Sequence, residues 1–222
     1  LSAKVPRWTE SSTLIYPPRL SLEQCSSQVA AEYKAKLVER IITTSTSSES
    51  HLKTMVDLTG GLGVDFSFMA PLFDEATYVE QREELVQLAL HNFPLLGLSR
   101  ANCLCGDAVT HLSAMKSVDL VYLDPARRDE HGRKTVRIED CTPNVLELLP
   151  KLREKTRWLL LKLSPMLDVH QAITALGCVT EAHVVAVDGE CKEILLLCDL
   201  SLQRETQTRS RASSEEPTSG TA

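Results

Sequence analysis

A carboxylate and three glycines occur close together within residues 55–65. Two apolar, strand-type residues precede Asp57, and Gly60, Gly61 and Gly63 follow it before an apolar, helix-type run. Glycine lets the backbone approach a ligand closely, and the first turn of a helix offers free N–H groups. A strand, a glycine turn and a helix in this order are typical of a nucleotide-binding crevice. The sequence therefore predicts such a crevice here.

Two features of this turn argue against a dinucleotide ligand. The dinucleotide fingerprint G-x-G-x-x-G uses its third glycine for tight helix packing, but Phe66 stands at that position in this chain. Asp57, at the end of a strand, would repel a pyrophosphate and attract a cation. S-adenosylmethionine carries an ammonium group, a sulfonium group and no phosphate. We therefore expect S-adenosylmethionine as the cofactor.

Two further acidic residues follow predicted strands in the order that such a crevice needs. The strand over residues 76–79 ends in Glu80, and a third strand near residues 101–104 is closed by Gly106 and Asp107. A carboxylate at the tip of the second strand can accept hydrogen bonds from both ribose hydroxyls. Asp107 can accept one from the adenine amino group. Both residues are predicted to bind the cofactor.

The fourth predicted strand, residues 118–123, ends in Asp124-Pro125-Ala126-Arg127-Arg128. With this motif the chain resembles the class I S-adenosylmethionine-dependent methyltransferases over roughly residues 52–202. The family's first motif is an acidic residue followed by glycines at alternate positions, and it is matched by Asp57, Gly61 and Gly63. Thr59 stands in place of the first glycine, as in many nucleic-acid methyltransferases.

The fourth motif carries the implied catalytic residues. Asp124 and Pro125 match the start of the pattern Asp/Asn-Pro-Pro-aromatic of amine methylases, whereas Ala126 and Arg127 depart from it and leave the accepting atom open. The run is closer to a bacterial group that usually carries a THUMP-like RNA-binding domain after the catalytic domain. The resemblance therefore implies RNA as a partner, and a THUMP-like domain that is missing here or separate. Arg127 and Arg128 are then expected to hold a phosphate.

Together with the order of elements, the resemblance implies an α/β fold with a doubly wound, seven-stranded Rossmann-like methyltransferase sheet, in strand order 3-2-1-4-5-7-6. The apolar run 158–163 is expected as a central parallel strand. A hairpin turn at Asp188-Gly189 should join the last two strands, 182–187 and 193–200. We expect helices over 83–91, 143–152 and 167–176. The methyltransferase domain is assigned to residues 51–202.

Residues 1–50 are predicted to be an N-terminal helical extension and linker. Ser21 to Gln24 resembles a capping box, and a helix should follow it to about Ile42. We favour a packing role for this helix; the alternative is a lid with Tyr33 and Lys34 near the crevice. Residues 203–222 have no apolar periodicity and are expected to be a disordered tail.

Composition limits the class of protein. The 222 residues are 43% hydrophobic and 24% charged, with a formal net charge of −6, which argues against non-specific coating of nucleic acid. No leader or membrane-spanning run is evident, so a cytoplasmic enzyme is expected. Neither the seven cysteines nor the six histidines show metal-ligand spacing, and no metal is predicted. The loop 127–137 is rich in arginine and lysine, and its role stays open between phosphate contact and a solvated surface.

The main hypothesis is methyl transfer from S-adenosylmethionine to a nucleobase in RNA. Oxygens at Asp124 and Pro125 would accept hydrogens of a base amine as charge develops on its nitrogen. A first rival hypothesis is a methyltransferase of a protein or small molecule. A second is a module that binds S-adenosylmethionine without turnover.

Overall fold

A single seven-stranded sheet forms the centre of the computed structural model, which describes residues 4–10, 13–17, 25–44, 53–126 and 136–201. Its strand order is β3-β2-β1-β4-β5-β7-β6, so the predicted order is confirmed. Strands β1 to β5 pair in parallel, and β7 runs antiparallel to both β5 and β6. The strands are β1 Thr54–Asp57, β2 Glu75–Glu80, β3 Asn102–Cys105, β4 Val118–Leu123, β5 Thr156–Leu163, β6 Val179–Val187 and β7 Glu190–Asp199.

Helices cover both faces of the sheet. Apolar side chains of α5, α6 and α7 pack on one face and those of α2, α3 and α4 on the other, which gives two buried clusters with the sheet between them. The described helices are α1 Pro6–Thr9, α2 Gln28–Thr44, α3 Val64–Met69, α4 Glu83–Leu95, α5 Ala108–Ala114, α6 Val145–Lys155 and α7 Val169–Leu176, with 3₁₀ turns at Ala70–Leu72 and Ile138–Asp140. None of these described helices is long and apolar enough to cross a bilayer.

Strand β5 shows how the sheet separates the two clusters. Leu159 and Leu161 belong to the cluster under α5 to α7, and Leu160 belongs to the cluster under α2 to α4. Side chains of a strand alternate between faces, so Lys162 lies on the same face as Leu160. The same alternation puts Glu193 of β7 on that face, two residues before Leu195. Two charged side chains are thus directed into the layer that α2 covers.

Several strands and helices are longer in the structure than the sequence predicted. Strand β6 begins at Val179 rather than residue 182, and β7 begins at Glu190 rather than residue 193. Helix α4 continues to Leu95 and includes Pro94, because a proline in the last turn removes only one backbone donor. The predicted turn at Asp188-Gly189 is confirmed, with φ values of 54° and 77°.

The N-terminal extension is part of the core in its described residues. Leu37 and Val38 of α2 pack in the same cluster as Phe66 of α3. Trp8 is buried, and its Nε1 donates a hydrogen bond to Ser67 Oγ at 3.2 Å. These contacts agree with the packing interpretation of the extension. The capping box proposed at 21–24 and the tail 203–222 lie outside the described residues.

Candidate functional site

A cavity of about 710 Å³ opens at the carboxyl edge of strands β1, β2, β4 and β5. Parallel strands of this architecture place ligands at that edge. Eight of the ten sequence-predicted site residues line it: Asp57, Thr59, Gly61, Gly63, Glu80, Asp107, Asp124 and Pro125. The other two, Arg127 and Arg128, lie outside the described residues.

The turn after β1 needs glycine for two separate reasons. Gly61 and Gly63 have φ values of 56° and 83°, in the left-handed region that side chains disfavour. A Cβ on Gly60 would lie 2.2 Å from the Tyr78 ring, and one on Gly63 would lie 2.6 Å from the Phe93 ring. The backbone therefore packs against aromatic rings on one side and faces the cavity on the other.

The contacts of Thr59 account for a threonine at this position of the first motif. Its N–H donates to Asp57 Oδ1 at 2.9 Å, and its hydroxyl donates to the same oxygen at 3.4 Å. The hydroxyl oxygen accepts the backbone N–H of Asp124 at 2.7 Å. A glycine could not make the two hydroxyl contacts. Thr59 therefore ties the tip of β1 to the tip of β4, where the two predicted motifs meet.

Glu80 is held rigidly at the tip of β2. Its Oε2 accepts the Gly61 N–H at 2.8 Å, and its Oε1 accepts the backbone N–H and Nε of Arg82 at 3.0 and 3.1 Å. The residue is buried, yet it lines the cavity. A carboxylate offers about four acceptor sites. Glu80 therefore keeps capacity for a further donor.

Asp107 has a structural role that the sequence interpretation missed. It is the N-cap of α5, and its Oδ1 accepts the N–H of Thr110 at 2.9 Å and the Thr110 hydroxyl at 3.1 Å. Its Oδ2 takes part in none of the hydrogen bonds found among the described residues. Asp107 thus fixes the start of a helix with one oxygen while it lines the cavity.

Five charged side chains of alternating sign run from β7 to the tip of β4; we name them the buried charge chain. Its order is Glu193, Lys34, Asp65, Lys162 and Asp124. Lys34 Nζ contacts Glu193 Oε1 and lies 3.1 Å from Asp65 Oδ1. Lys162 Nζ lies 3.4 Å from Asp65 Oδ2 and 2.5 Å from Asp124 Oδ2. The buried charge chain begins beneath α2 and ends at the cavity.

Asp65 is the centre of this arrangement. Its Oδ2 accepts the hydroxyls of Ser26 and Tyr122, each at 2.8 Å. Burial alone would raise the pKa of the Asp65 carboxyl, but the ammonium groups of Lys34 and Lys162 outweigh it and hold that pKa well below its ordinary value. Burial alone would lower the pKa of Lys162, but its carboxylate partners raise it. Asp65 and Lys162 are therefore both charged at neutral pH.

The balance of charge in the cavity is negative. Among the described residues, five acidic side chains line it against three basic ones, which are Arg82, Lys162 and Lys192. Asp57 is one of the acidic residues, and its pKa is raised well above the ordinary value, first by burial and then by the charges of Asp65 and Asp124. A cation that entered the cavity would relieve this repulsion. The site therefore favours a positively charged ligand.

Most of the buried charge chain was absent from the sequence-predicted site. Lys162 carried a usable signal, because it is the single charge in the apolar half of β5. Lys34 was considered only as part of a lid, whereas the structure buries it completely. Tyr33, its companion in that interpretation, lies on the outer surface with its hydroxyl 2.9 Å from His183 Nδ1. Asp65 and Glu193 had no distinguishing pattern.

Comparisons with known proteins bear on the fold. No protein-family model matches the chain. A search of curated proteins likewise finds no match.

Solved structures do match. A candidate methyltransferase from Porphyromonas gingivalis W83 is 35% identical, with a TM-score of 0.76 over 90% of this chain. This chain spans about half of that protein, 47% of its length. A candidate RNA methyltransferase from Pyrococcus horikoshii is 18% identical, with a TM-score of 0.58, over 86% of this chain and 94% of its own.

A SAM-dependent methyltransferase from Agrobacterium tumefaciens is also 18% identical, with a TM-score of 0.55, over 78% of this chain and 61% of its own. SAM here is S-adenosylmethionine. Together with the strand order, these matches establish that the chain has the Rossmann-like methyltransferase fold.

Proposed function

We propose that this chain is an S-adenosylmethionine-dependent methyltransferase. The observation that carries the proposal is a cavity lined by a glycine turn and by three acidic residues, Asp57 and Glu80 at the ends of β1 and β2 and Asp107 shortly after β3. The negative balance of charge beside Asp57 suits a cofactor with an ammonium and a sulfonium group. The solved structures of the same fold include one described as SAM-dependent, which supports the choice of cofactor.

Each lining residue has a chemical part in holding this cofactor. Glu80 would accept the ribose hydroxyls, and Asp107 would accept from the adenine amino group through the oxygen that does not cap α5. Asp57 would attract the ammonium group of the methionine moiety. Gly61 leaves the backbone open, since a Cβ there would meet only the Thr59 carbonyl oxygen at 3.7 Å, so a ligand can approach it closely.

The bound cofactor supplies an activated methyl group on a cationic sulfur. Transfer of this methyl group to the acceptor atom would leave the cofactor as a neutral thioether, and the proton that the acceptor loses would pass by way of Asp124, whose side chain is 36% exposed, to solvent. The residues of the chain mainly position the reactants. Asp124 would accept a hydrogen bond from an acceptor amine as positive charge develops on its nitrogen, with the carbonyl oxygen of Pro125 as a second acceptor.

A nucleobase in RNA is the acceptor we propose. Arg127 and Arg128 directly follow the cavity residues Pro125 and Ala126 in the sequence, where they could grip a phosphate. The structure from Pyrococcus horikoshii, described as a candidate RNA methyltransferase, adds support. Labelled methyl groups should therefore pass from S-adenosylmethionine to RNA rather than to the protein fraction of a cell extract.

One observation favours a different acceptor. All two Trp, four Tyr and four Phe residues of the chain lie among the described residues, and Tyr122 is the single one that lines the cavity. Tyr122 is 1% exposed, with its hydroxyl on Asp65, so its ring face is closed to a base. Bases splayed out of RNA commonly stack on aromatic side chains. The second candidate acceptor is therefore an amine of a protein or small molecule. In that case the labelled methyl groups should appear in the protein or small-molecule fraction of the extract.

Glu80→Ala should weaken binding of S-adenosylmethionine by about 1–3 kcal/mol, the cost of losing a charge-assisted hydrogen bond. Isothermal titration would measure it. Glu80→Gln is the matched control, since an amide oxygen can still accept the Gly61 N–H while the negative charge is lost. Equal affinity in wild type and Glu80→Ala would contradict the ribose assignment. NADH binding as tightly as S-adenosylmethionine would contradict the choice of cofactor.

Arg127→Ala combined with Arg128→Ala should reduce affinity for RNA and flatten its salt dependence, because fewer counterions are released when phosphate contacts are lost. Binding at two salt concentrations measures both effects. Arg100→Ala is the control, since Arg100 is exposed just before β3, at the opposite edge of the sheet. Unchanged affinity and slope in the double variant would remove the main support for RNA and favour the second candidate.

A further inference from the structure

Lys162 is the cationic member of the buried charge chain that lines the cavity. Its side chain is 13% exposed, while that of Asp124 is 36% exposed. The three hydrogens of its ammonium group match three acceptors: Asp124 Oδ2 at 2.5 Å, Ser26 Oγ at 3.3 Å and Asp65 Oδ2 at 3.4 Å. An ammonium group has three donors and no acceptor. Lys162 therefore has no donor left for a ligand, and its action must pass through Asp124.

Two partners of Lys162, Ser26 and Asp65, are themselves held by several neighbouring groups. Ser26 donates to Asp65 and accepts from Lys34 at 3.4 Å as well as from Lys162. Asp65 accepts from Ser26 and Tyr122 and pairs with both lysines. An ammonium group held by two buried partners, Asp65 and Ser26, has little freedom to move. It is a fixed point against which a more exposed side chain can be oriented.

Asp124 is held at two places. Its backbone N–H is bound by Thr59 Oγ1 at 2.7 Å, and its Oδ2 is bound by Lys162. We propose that Lys162 is a positioning residue, which fixes one oxygen of Asp124 so that the other faces the reacting methyl group and its acceptor. This inference rests on the proposed function, because it assumes that Asp124 faces the methyl group of S-adenosylmethionine.

Two cofactor analogues test this role without a known acceptor. S-adenosylhomocysteine has a neutral thioether, and sinefungin has a carbon with an amino group in place of the sulfonium and its methyl group. A correctly oriented Asp124 should accept a hydrogen bond from that amino group. Wild type is therefore expected to bind sinefungin more tightly than S-adenosylhomocysteine. Lys162→Met should lower this preference about tenfold, because one charge-assisted hydrogen bond to sinefungin is lost. The affinity for S-adenosylhomocysteine should change less.

If Lys162 acted only through its charge, Lys162→Met would change the preference for sinefungin in the opposite direction. Removing a cation from the cavity wall should favour the charged amino group of sinefungin and raise the preference. Lys192→Met is the matched control for this effect, since Lys192 also lines the cavity but pairs with Glu190 rather than Asp124. We expect its preference to stay unchanged or to rise. Titration calorimetry of both ligands with each variant measures these ratios.

A second variant covers the case in which Lys162→Met does not fold. Lys162→Arg keeps the charge, but a planar guanidinium cannot reproduce the three contacts of an ammonium group, so the preference should fall again. A wild-type or higher preference in whichever of the two variants folds would overturn the positioning role. A wild-type chain that binds neither analogue would instead contradict the proposed function, and the inference with it.

Discussion

Lys34→Met is expected to lower the free energy of unfolding by about 3–5 kcal/mol, the usual cost of removing one partner from a buried ion pair. Lys34 is fully buried, and its ammonium group lies between Asp65 and Glu193. Methionine would fill most of the space but leave both carboxylates short of a counter-charge. The midpoint of urea unfolding, with an unchanged slope, would measure the loss.

The same helix supplies a matched control. Arg40 of α2 also pairs with the β6–β7 hairpin, through Glu181, but the Arg40 side chain is 48% exposed. Arg40→Met should cost less than about 1 kcal/mol, as exposed ion pairs do. Combining Lys34→Met with Glu193→Gln should recover part of the loss, because a buried charge is then removed from both sides. Equal costs for Lys34→Met and Arg40→Met would show that the buried pair does not stabilise the fold.

The helices and strands were predictable because their signals are local, whereas the strand order came from the resemblance to the class I methyltransferases. An apolar run such as residues 158–163 indicates a buried parallel strand, and Asp188-Gly189 indicates a tight hairpin. The acidic residues and the glycine turn were also found locally, since each lies at the end of a strand or within a few residues of it. Parallel strands bring their carboxyl ends to one edge, so residues far apart in sequence could be assigned to one crevice.

The buried charge chain was not predictable in this way. Lys34 and Glu193 are separated by 159 residues, and they meet because α2 covers the face of the sheet on which β7 directs Glu193. A single charged residue in an apolar strand or helix gives no periodic pattern from which its partner could be predicted. Asp65 is harder still, because all six residues of α3 are buried and the helix has no polar side to reveal it. Tertiary packing alone brings these groups together.

Asp57→Asn is expected to make the unliganded protein more stable at neutral pH, since each pH unit by which the folded pKa of an acid exceeds its unfolded pKa costs about 1.4 kcal/mol once the acid is ionised. Burial, with the neighbouring charges of Asp65 and Asp124, raises the pKa of Asp57. An acid with a raised pKa in the folded state contributes its full stability below its unfolded pKa, and that contribution is lost as pH rises through the folded pKa. Asparagine avoids this loss and can still accept the Thr59 N–H.

The gain should therefore be largest at pH 7–8 and shrink towards pH 4, where wild-type Asp57 is protonated; thermal melts across this range measure it. Binding should change in the opposite direction. We expect the Asp57 carboxylate, which destabilises the empty cavity, to attract the ammonium group of the cofactor. Asp57→Asn should therefore weaken binding of S-adenosylmethionine by about 10- to 100-fold. Wild-type affinity should also rise with pH as Asp57 ionises, and the variant should lose this dependence. A variant that is less stable at every pH, and that binds S-adenosylmethionine as tightly as wild type, would show that Asp57 is a structural residue rather than a cofactor ligand.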